Sequence, residues 1–139
     1  MTSLQDFIIK ESGWTYDKCN GFAILKPEFL DHEDEWIHML TDQGWTIENH
    51  LKFQMSKAQA KDLYKCHCDE PWFNDLCDYM SSGPCICALC YKKTDSPIKD
   101  MKDIKHDFRD KYGKDEMRNG MHSSDTLKNV QREGKITLY

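Results

Sequence analysis

The chain has 139 residues, of which 39% are apolar and 31% are charged, and this size and composition are typical of one globular domain. Its formal net charge of −5 argues against a protein that binds nucleic acid over its whole surface, because such binding needs an excess of basic residues. The longest apolar run, residues 85–91, is far shorter than the ~20 residues that span a bilayer. We therefore expect no membrane helix and no specific nucleic-acid partner.

The cysteines indicate a reducing compartment. There are 7 of them, an odd number that cannot pair fully within one chain, so we expect reduced thiols in the core and a cytoplasmic protein. The first residues also lack the basic and apolar segments of a secretory signal. The alternative is a zinc site built from Cys66-His67-Cys68 and the pair Cys87 and Cys90. A strand over residues 85–91 would place Cys87 and Cys90 on opposite faces, which disfavours that site.

The first half of the chain shows alternating patterns of strands and helices. A short amphipathic helix is expected over residues 3–11, within an N-terminal extension of residues 1–19. A buried strand over 21–25, a helix that Gly44 ends, and a half-buried strand over 45–53 follow. Ser56 is expected to cap a helix that reaches Tyr64.

The second half completes an α+β pattern. Pro71 is expected to begin a helix that reaches Met80, and residues 85–91 are expected to form a third strand. Residues 97–118 predict a helix and an irregular loop. Asp125 is expected to cap a last helix, and residues 136–138 to form a terminal strand. This order predicts a domain over residues 20–139 with a mostly antiparallel sheet and helices packed on one face.

A polar segment near the C-terminus carries the strongest chemical signal. Residues 119–126 read Asn-Gly-Met-His-Ser-Ser-Asp-Thr. A histidine before small hydroxyl residues is by itself weak evidence, since such residues are common in surface loops. The segment, however, resembles the catalytic loop of nucleoside diphosphate kinases, Asn-x-x-His-Gly/Ala-Ser-Asp-Ser, with Ser123 in place of the small residue and Thr126 in place of the last serine.

Four further segments resemble the same family in the same order. Residues 22–28 resemble the first strand and the turn that follows it, with Lys-Pro-Glu in place of Lys-Pro-Asp, and residues 44–45 and 51–53 resemble the second strand. Tyr64, residues 71–73 and residues 79–84 resemble the stretch from a phosphate-contacting tyrosine to the third strand, and Glu133 matches a family carboxylate. The resemblance covers about residues 20–139. It implies the ferredoxin-like fold of the family, with a four-stranded antiparallel sheet.

The resemblance also implies an activity and its catalytic residues. The family transfers the terminal phosphate of a nucleoside triphosphate to a nucleoside diphosphate through a phosphohistidine, and His122 matches that nucleophile. Glu133 matches the carboxylate that orients the imidazole. Ser124 would hold Glu133 in turn, and its alternative role is to cap the last helix.

The same resemblance assigns the substrate contacts. Lys26, Tyr64 and Asn119 match family positions that place charge and hydrogen bonds around the phosphates, and Lys105 occupies the place of a family arginine. Trp72 occupies the place of the aromatic residue that stacks on the base, although it fits equally well as a helix residue covering the core. Mg²⁺ would arrive bound to the nucleotide phosphates, with no metal ligand from the protein. A homo-oligomer, at least a dimer, is expected.

One departure keeps a second function open. The segment before Ile104 is shorter than the family pattern, and in the family it carries an arginine and a threonine that grip the phosphates. The alternative is therefore a catalytically weak nucleotide-binding or scaffold domain of the same fold. Lys99, Lys102, Lys105 and Arg109 recur at helical spacing and could share the gripping role, or they could form a solvated face paired with the interleaved aspartates.

Overall fold

A four-stranded antiparallel sheet organises residues 16–138, the part of the chain that our computed structural model describes. The strands are β1 (Gly21–Leu25), β2 (Thr46–Phe53), β3 (Cys85–Tyr91) and β4 (Met121–Ser123). Their spatial order is β2-β3-β1-β4, and each neighbouring pair is antiparallel. This confirms the predicted α+β class, and it makes β2 and β4 the edges of the sheet.

The helices connect and cover these strands. They are α1 (Glu33–Asp42), α2 (Lys57–Leu63), α3 (Phe73–Met80), α4 (Pro97–Tyr112) and α5 (Leu127–Leu138). Within residues 16–138, no helix has the length and apolar character needed to cross a membrane. The helix predicted over residues 3–11 lies outside the described residues.

Helices pack on both faces of the sheet, so the prediction of helices on one face is wrong. Phe22 and Ile24 of β1 contribute to a core layer with α2, α3 and α5, whereas Ala23 and Leu25 contribute to a layer with α1 and α4. Alternate residues of a strand point to opposite faces, so both faces of β1 are buried. The uninterrupted apolar runs of β1 and β3 are typical of strands covered on both sides.

Ser56 caps the start of α2, as predicted. The Ser56 hydroxyl accepts a hydrogen bond from the Gln59 backbone N–H at 3.0 Å, and the Gln59 side chain accepts one from the Ser56 backbone N–H at 2.8 Å. This reciprocal pair is a capping box, which satisfies two N–H groups that a helix start leaves unpaired. The helix ends at Leu63, so Tyr64 follows it as the C-cap residue.

The C-terminal segment differs from the prediction. Residues 136–138 form the end of α5 and not a strand, because Val130, Glu133 and Thr137 recur at helical spacing and are all buried. Thr126 caps this helix: its Oγ1 accepts a hydrogen bond from the Asn129 backbone N–H at 3.1 Å. Asp125 is engaged elsewhere, in an ion pair with Lys102.

The fourth strand is β4, which carries the motif histidine. Ile24 lies opposite His122 in the β1–β4 pairing, and the Lys26 backbone N–H donates to the Gly120 carbonyl at 2.9 Å. Gly120 has a φ of +104°, a conformation that side chains rarely adopt. A Cβ atom at this position would lie 2.6 Å from two ring atoms of the buried Phe108. Glycine therefore allows β4 to approach α4 closely.

We predict that Gly120→Ala lowers the free energy of unfolding by about 2 to 4 kcal/mol, because it adds both a clash with Phe108 and backbone strain. Gly83→Ala is the matched control, since its nearest neighbour would be Pro27 at an ordinary 3.8 Å and its φ is not positive. Urea unfolding of the two variants checks this. Equal stability of the two would contradict the proposed close approach.

Candidate active site

The residues singled out in the sequence converge on one cavity of about 450 Å³. Every predicted site residue except Ser124 lines it: Lys26, Tyr64, Trp72, Lys105, Asn119, His122 and Glu133. Lys26 follows β1, Tyr64 follows α2, and Trp72 precedes α3. Lys105 lies in α4, Asn119 precedes β4, His122 lies in β4, and Glu133 lies in α5. The edge strand β4 thus brings together positions that are far apart in the chain.

The histidine and the glutamate form the closest polar contact of the cavity. His122 Nε2 lies 2.5 Å from Glu133 Oε1, and the glutamate is only 3% exposed. Because a carboxylate can only accept a hydrogen bond, Nε2 carries the proton and Nδ1 keeps its lone pair. The Tyr64 ring packs edge-on against the imidazole at 5.3 Å and restricts its rotation. The arrangement presents Nδ1 as a fixed nucleophile or base.

Ser124 does not make the predicted contact with Glu133. Its hydroxyl is buried and has no hydrogen-bond partner among the described residues. Its backbone N–H donates to the Phe22 carbonyl at 3.1 Å, which continues the pairing of β4 with β1. It does not cap the last helix either, because Thr126 has that role. The residue belongs to the strand ladder, and no direct link to His122 supports a catalytic role.

Four cations line the cavity: Lys26, Lys105, Arg109 and Arg132. Lys26 is 3% exposed, and its Nζ donates to the Met117 carbonyl at 3.2 Å. Burial, together with the nearby charges of Arg109 and Lys105, lowers the pKa of Lys26 to about 7. Burial and the charge of Arg109 also lower the pKa of Lys105. Crowded cations with depressed pKa values indicate a place where an anion binds.

Arg109, which the sequence offered only as one of four α4 cations that could share the gripping role, lines the cavity. Its Nε and Nη2 donate to the Met121 carbonyl at 3.3 and 3.1 Å, which holds the residue next to His122 against α4. Its four-residue spacing from Lys105 was the available signal. The charged face of α4 therefore divides: Lys105 and Arg109 line the cavity, whereas Lys99 pairs with Asp103 and Lys102 with Asp125.

Three buried polar atoms of residues that line the cavity have no partner among the described residues: Tyr64 Oη, Asn119 Oδ1 and Ser123 Oγ. Burial, with the charge of Glu133 as a second cause, raises the pKa of Tyr64 well above its usual range, so its hydroxyl stays protonated and can donate. The Asn119 Nδ2 group donates to the Glu116 carbonyl at 2.6 Å, which leaves its oxygen to accept. Unpaired buried groups are costly, so the Tyr64 hydroxyl and the Asn119 oxygen suit a polar ligand.

An aromatic surface lies at one end of the cavity. Trp72 is 41% exposed, and its ring lies 5.2 Å from that of His67, which also lines the cavity. Arg132 supports this side, because its guanidinium donates to the carbonyls of Asp62 and Leu63 at the end of α2. In the sequence, His67 drew notice only as a possible zinc ligand, and Arg132 has no distinguishing local pattern.

The cysteines fit the prediction only in part. The predicted strand over 85–91 is confirmed, and it places Cys87 and Cys90 in different core layers. Burial raises the pKa of Cys90 to about 12. Cys66 and Cys68 are exposed, however, so the expectation of core thiols is wrong for them. They lie in and directly after the short 3-10 turn Lys65–His67, which the core does not cover.

Comparisons with known proteins agree with this geometry. Residues 20–139 match the family model of nucleoside diphosphate kinases. The nucleoside diphosphate kinase of Salinibacter ruber is 32% identical over 123 residues, which cover 80% of this chain and 85% of the relative. The chain belongs to the nucleoside diphosphate kinase family. Nucleoside diphosphate kinase homolog 7 of Rattus norvegicus is 29% identical over 125 residues, and this match spans 32% of that longer protein.

Solved structures show the same fold. The nucleoside diphosphate kinase of Aquifex aeolicus superposes with a TM-score of 0.76 at 24% identity, covering 84% of this chain and 92% of that one. The enzyme of Encephalitozoon cuniculi gives a TM-score of 0.72 at 17% identity, covering 85% and 87%. The ferredoxin-like kinase fold expected from the motifs is thus confirmed.

The buried lysine predicts a specific pH dependence of stability. Its pKa is about 7 in the folded state and near the ordinary 10.5 when unfolded, so charging it opposes folding. The free-energy cost of burying the charged lysine is fully present below pH 7, and it disappears as the pH rises from about 7 to 10.5. Relative to Lys26→Met, the parent protein should therefore gain a few kcal/mol of stability across that window.

Urea unfolding of both proteins at pH 6 to 10, under reducing conditions, measures this difference. Contributions from the buried thiols are common to both proteins and cancel. If the free energies of unfolding of the two proteins differ by the same amount at every pH, Lys26 is not a buried lysine with a lowered pKa.

Proposed function

We propose that the protein transfers the terminal phosphate of a nucleoside triphosphate to a nucleoside diphosphate through a phosphohistidine on His122. One observation carries the proposal: a buried carboxylate, Glu133, holds Nε2 of His122, whose Nδ1 has no hydrogen-bond partner among the described residues, in a cavity lined by cations. Family membership supports the reaction class. A domain that only bound nucleotides would not need the glutamate behind the imidazole.

The transfer proceeds in two matching halves. In the first, the Nδ1 lone pair attacks the terminal phosphorus, the bond to the bridging oxygen breaks, and the nucleoside diphosphate leaves with that electron pair. The imidazole then carries the phosphoryl group and a positive charge, which the Glu133 carboxylate stabilises through Nε2–H. In the second half, a terminal oxygen of another nucleoside diphosphate attacks the same phosphorus and His122 leaves as a neutral ring.

Charge stabilisation of the moving phosphoryl group falls to the cations of the cavity. Lys26, Lys105 and Arg109 surround the space in front of His122, and the Tyr64 hydroxyl adds a donor. These groups fit phosphate oxygens and repel a bare divalent ion. We therefore propose that Mg²⁺ enters bound to the nucleotide phosphates, where it neutralises part of their charge.

The nucleoside end would lie toward Trp72. Its exposed ring offers a face for stacking, which tolerates any base because every base has a π face. The free Asn119 oxygen would accept a hydrogen bond from a hydroxyl of the substrate. The proposal names no base preference, since stacking provides none.

The assembly and location also belong to this proposal. We place the protein in the cytoplasm, where its exposed thiols would stay reduced. Edge strand β2 exposes Leu51, which supports a dimer through the sheet side. Nucleoside di- and triphosphates are the proposed ligands, and the acidic surface does not suit nucleic acid.

The nucleophile assignment predicts a covalent intermediate. Incubation with ATP and Mg²⁺ should add one phosphate that is labile in acid and stable in base, and a chase with a diphosphate should remove it. His122→Ala should bind nucleotide but form no such adduct. Radiolabel or mass measurement after acid and base treatment distinguishes the linkages.

A His122→Ala protein that still acquires an acid-labile phosphate would overturn this assignment. If the parent binds ADP but never becomes phosphorylated, the protein is instead the nucleotide-binding domain without transfer that the sequence also allowed.

The split face of α4 predicts unequal roles for two lysines. Lys105→Ala removes a cation from the cavity and should lower kcat/KM for the triphosphate by about ten- to a thousandfold. Lys99→Ala on the same helix is the control, because its ammonium pairs with Asp103 at an exposed position. Steady-state kinetics and thermal unfolding check both variants; equal kcat/KM for the two would remove Lys105 from the phosphate site.

A further inference from the structure

Lys26 lies in surroundings that favour its neutral form in the free protein. Its Nζ donates to one uncharged group, the Met117 carbonyl, and it forms no ion pair with a described residue. An ammonium group has three N–H donors, so a single carbonyl satisfies it poorly. Its 3% exposure leaves little room for water to do so. The group is buried and short of acceptors.

The charges around Lys26 come from every neighbouring element. The charged and titratable groups that line the same cavity are Lys105 and Arg109 of α4, Tyr64, Cys66 and His67 after α2, Glu116 of the segment before β4, His122 of β4, Asp125 after β4, and Arg132 and Glu133 of α5. Lys105 and Arg109 oppose the charge on Lys26, and with burial they bring its pKa to about 7. Asp115 is the acidic residue that favours the charge, but its Oδ1 already accepts hydrogen bonds from two backbone N–H groups.

Of the three carboxylates that line the cavity, two are committed elsewhere, and none of the three, Glu116 included, forms an ion pair with Lys26. Glu133 is bound to His122, and Asp125 is paired with Lys102. Glu28, the residue beyond Pro27, forms ion pairs with Lys114 and Arg118 outside the cavity. Among the described residues, therefore, no carboxylate forms an ion pair with Lys26, and only the nearby charge of Asp115 favours its ammonium form. A polyphosphate would supply several negative charges.

We propose that a nucleotide binds together with a proton, which Lys26 takes up as phosphate oxygens replace the Met117 carbonyl. The inference rests on the proposed nucleotide site and deepens it. The uncharged amine accepts a proton from the solvent and becomes an ammonium paired with the phosphate. Lys105 and Arg109, which oppose this charge in the free protein, share the same anion in the complex. The segment before β4 gives up its contact with Lys26 in the exchange.

Proton uptake makes affinity depend on pH in a defined direction. Below about pH 7, Lys26 is already charged and binding takes up no proton there. Above it, the affinity for ADP should fall by up to about tenfold for each pH unit, because the free protein must first gain the proton. The same coupling predicts that Lys26→Met binds more weakly but with a flatter pH profile.

Isothermal titration calorimetry measures the proton directly. The full chain is titrated with ADP and Mg²⁺ at pH 8 in Tris and in HEPES, whose ionisation enthalpies differ. The slope of observed enthalpy against buffer ionisation enthalpy should show close to one proton (~1) taken up per nucleotide, and about none at pH 6.

Two variants separate Lys26 from other titrating groups. Lys26→Met should lose the uptake at pH 8, whereas His122→Asn should keep it, which excludes the imidazole as the acceptor. Binding of ADP to the parent with no buffer dependence at pH 8 would overturn this inference and leave the proposed transfer intact. No ADP binding at all would overturn both. Uptake that persists in Lys26→Met would assign the proton to another residue.

Discussion

The pairing of β1 with β4 is the constraint on which the site depends. It aligns Ile24 with His122, so the lysine that follows β1 and the histidine of β4 reach the same cavity. The edge strand has only the three residues Met121–Ser123, and it relies on contacts beyond its own ladder. Arg109 binds the Met121 carbonyl, and Gly120 lets the chain pass against Phe108. These contacts hold the short strand, and with it His122, in a fixed position at the cavity.

The cavity concentrates groups that a protein would not bury for stability alone. Within residues 16–138, Lys26 has no ion-pair partner, and the Tyr64 and Asn119 oxygens have no hydrogen-bond partner; these groups and the two cations next to Lys26 all oppose folding. Such violations of ordinary packing are expected where a ligand completes the structure. The same groups are complementary to a polyphosphate, which brings negative charge and acceptors. Stability and ligand binding are therefore linked through the charges that face His122.

Sequence patterns predicted the elements well where one local signal dominated. The sequence predicted the cap at Ser56, the apolar strands β1 and β3, and the motif around His122. Each of these signals depends only on neighbouring residues of the chain. The prediction was wrong where burial came from distant parts of the chain. Residues 136–138 have strand-like composition, but Thr137 packs in the helical face of α5, and that face is visible only once the sheet is placed.

The sequence by itself determined the α+β class, the family and a set of seven residues that share the cavity, because motif spacing and apolar periodicity are properties of the chain. Only the tertiary structure decided which side chains meet. It joined Glu133 to His122, left Ser124 without that contact, and divided the α4 lysines between cavity and solvent. It also revealed the depressed pKa of Lys26. Burial and charge proximity arise from the packing of distant segments, and no local pattern encodes them.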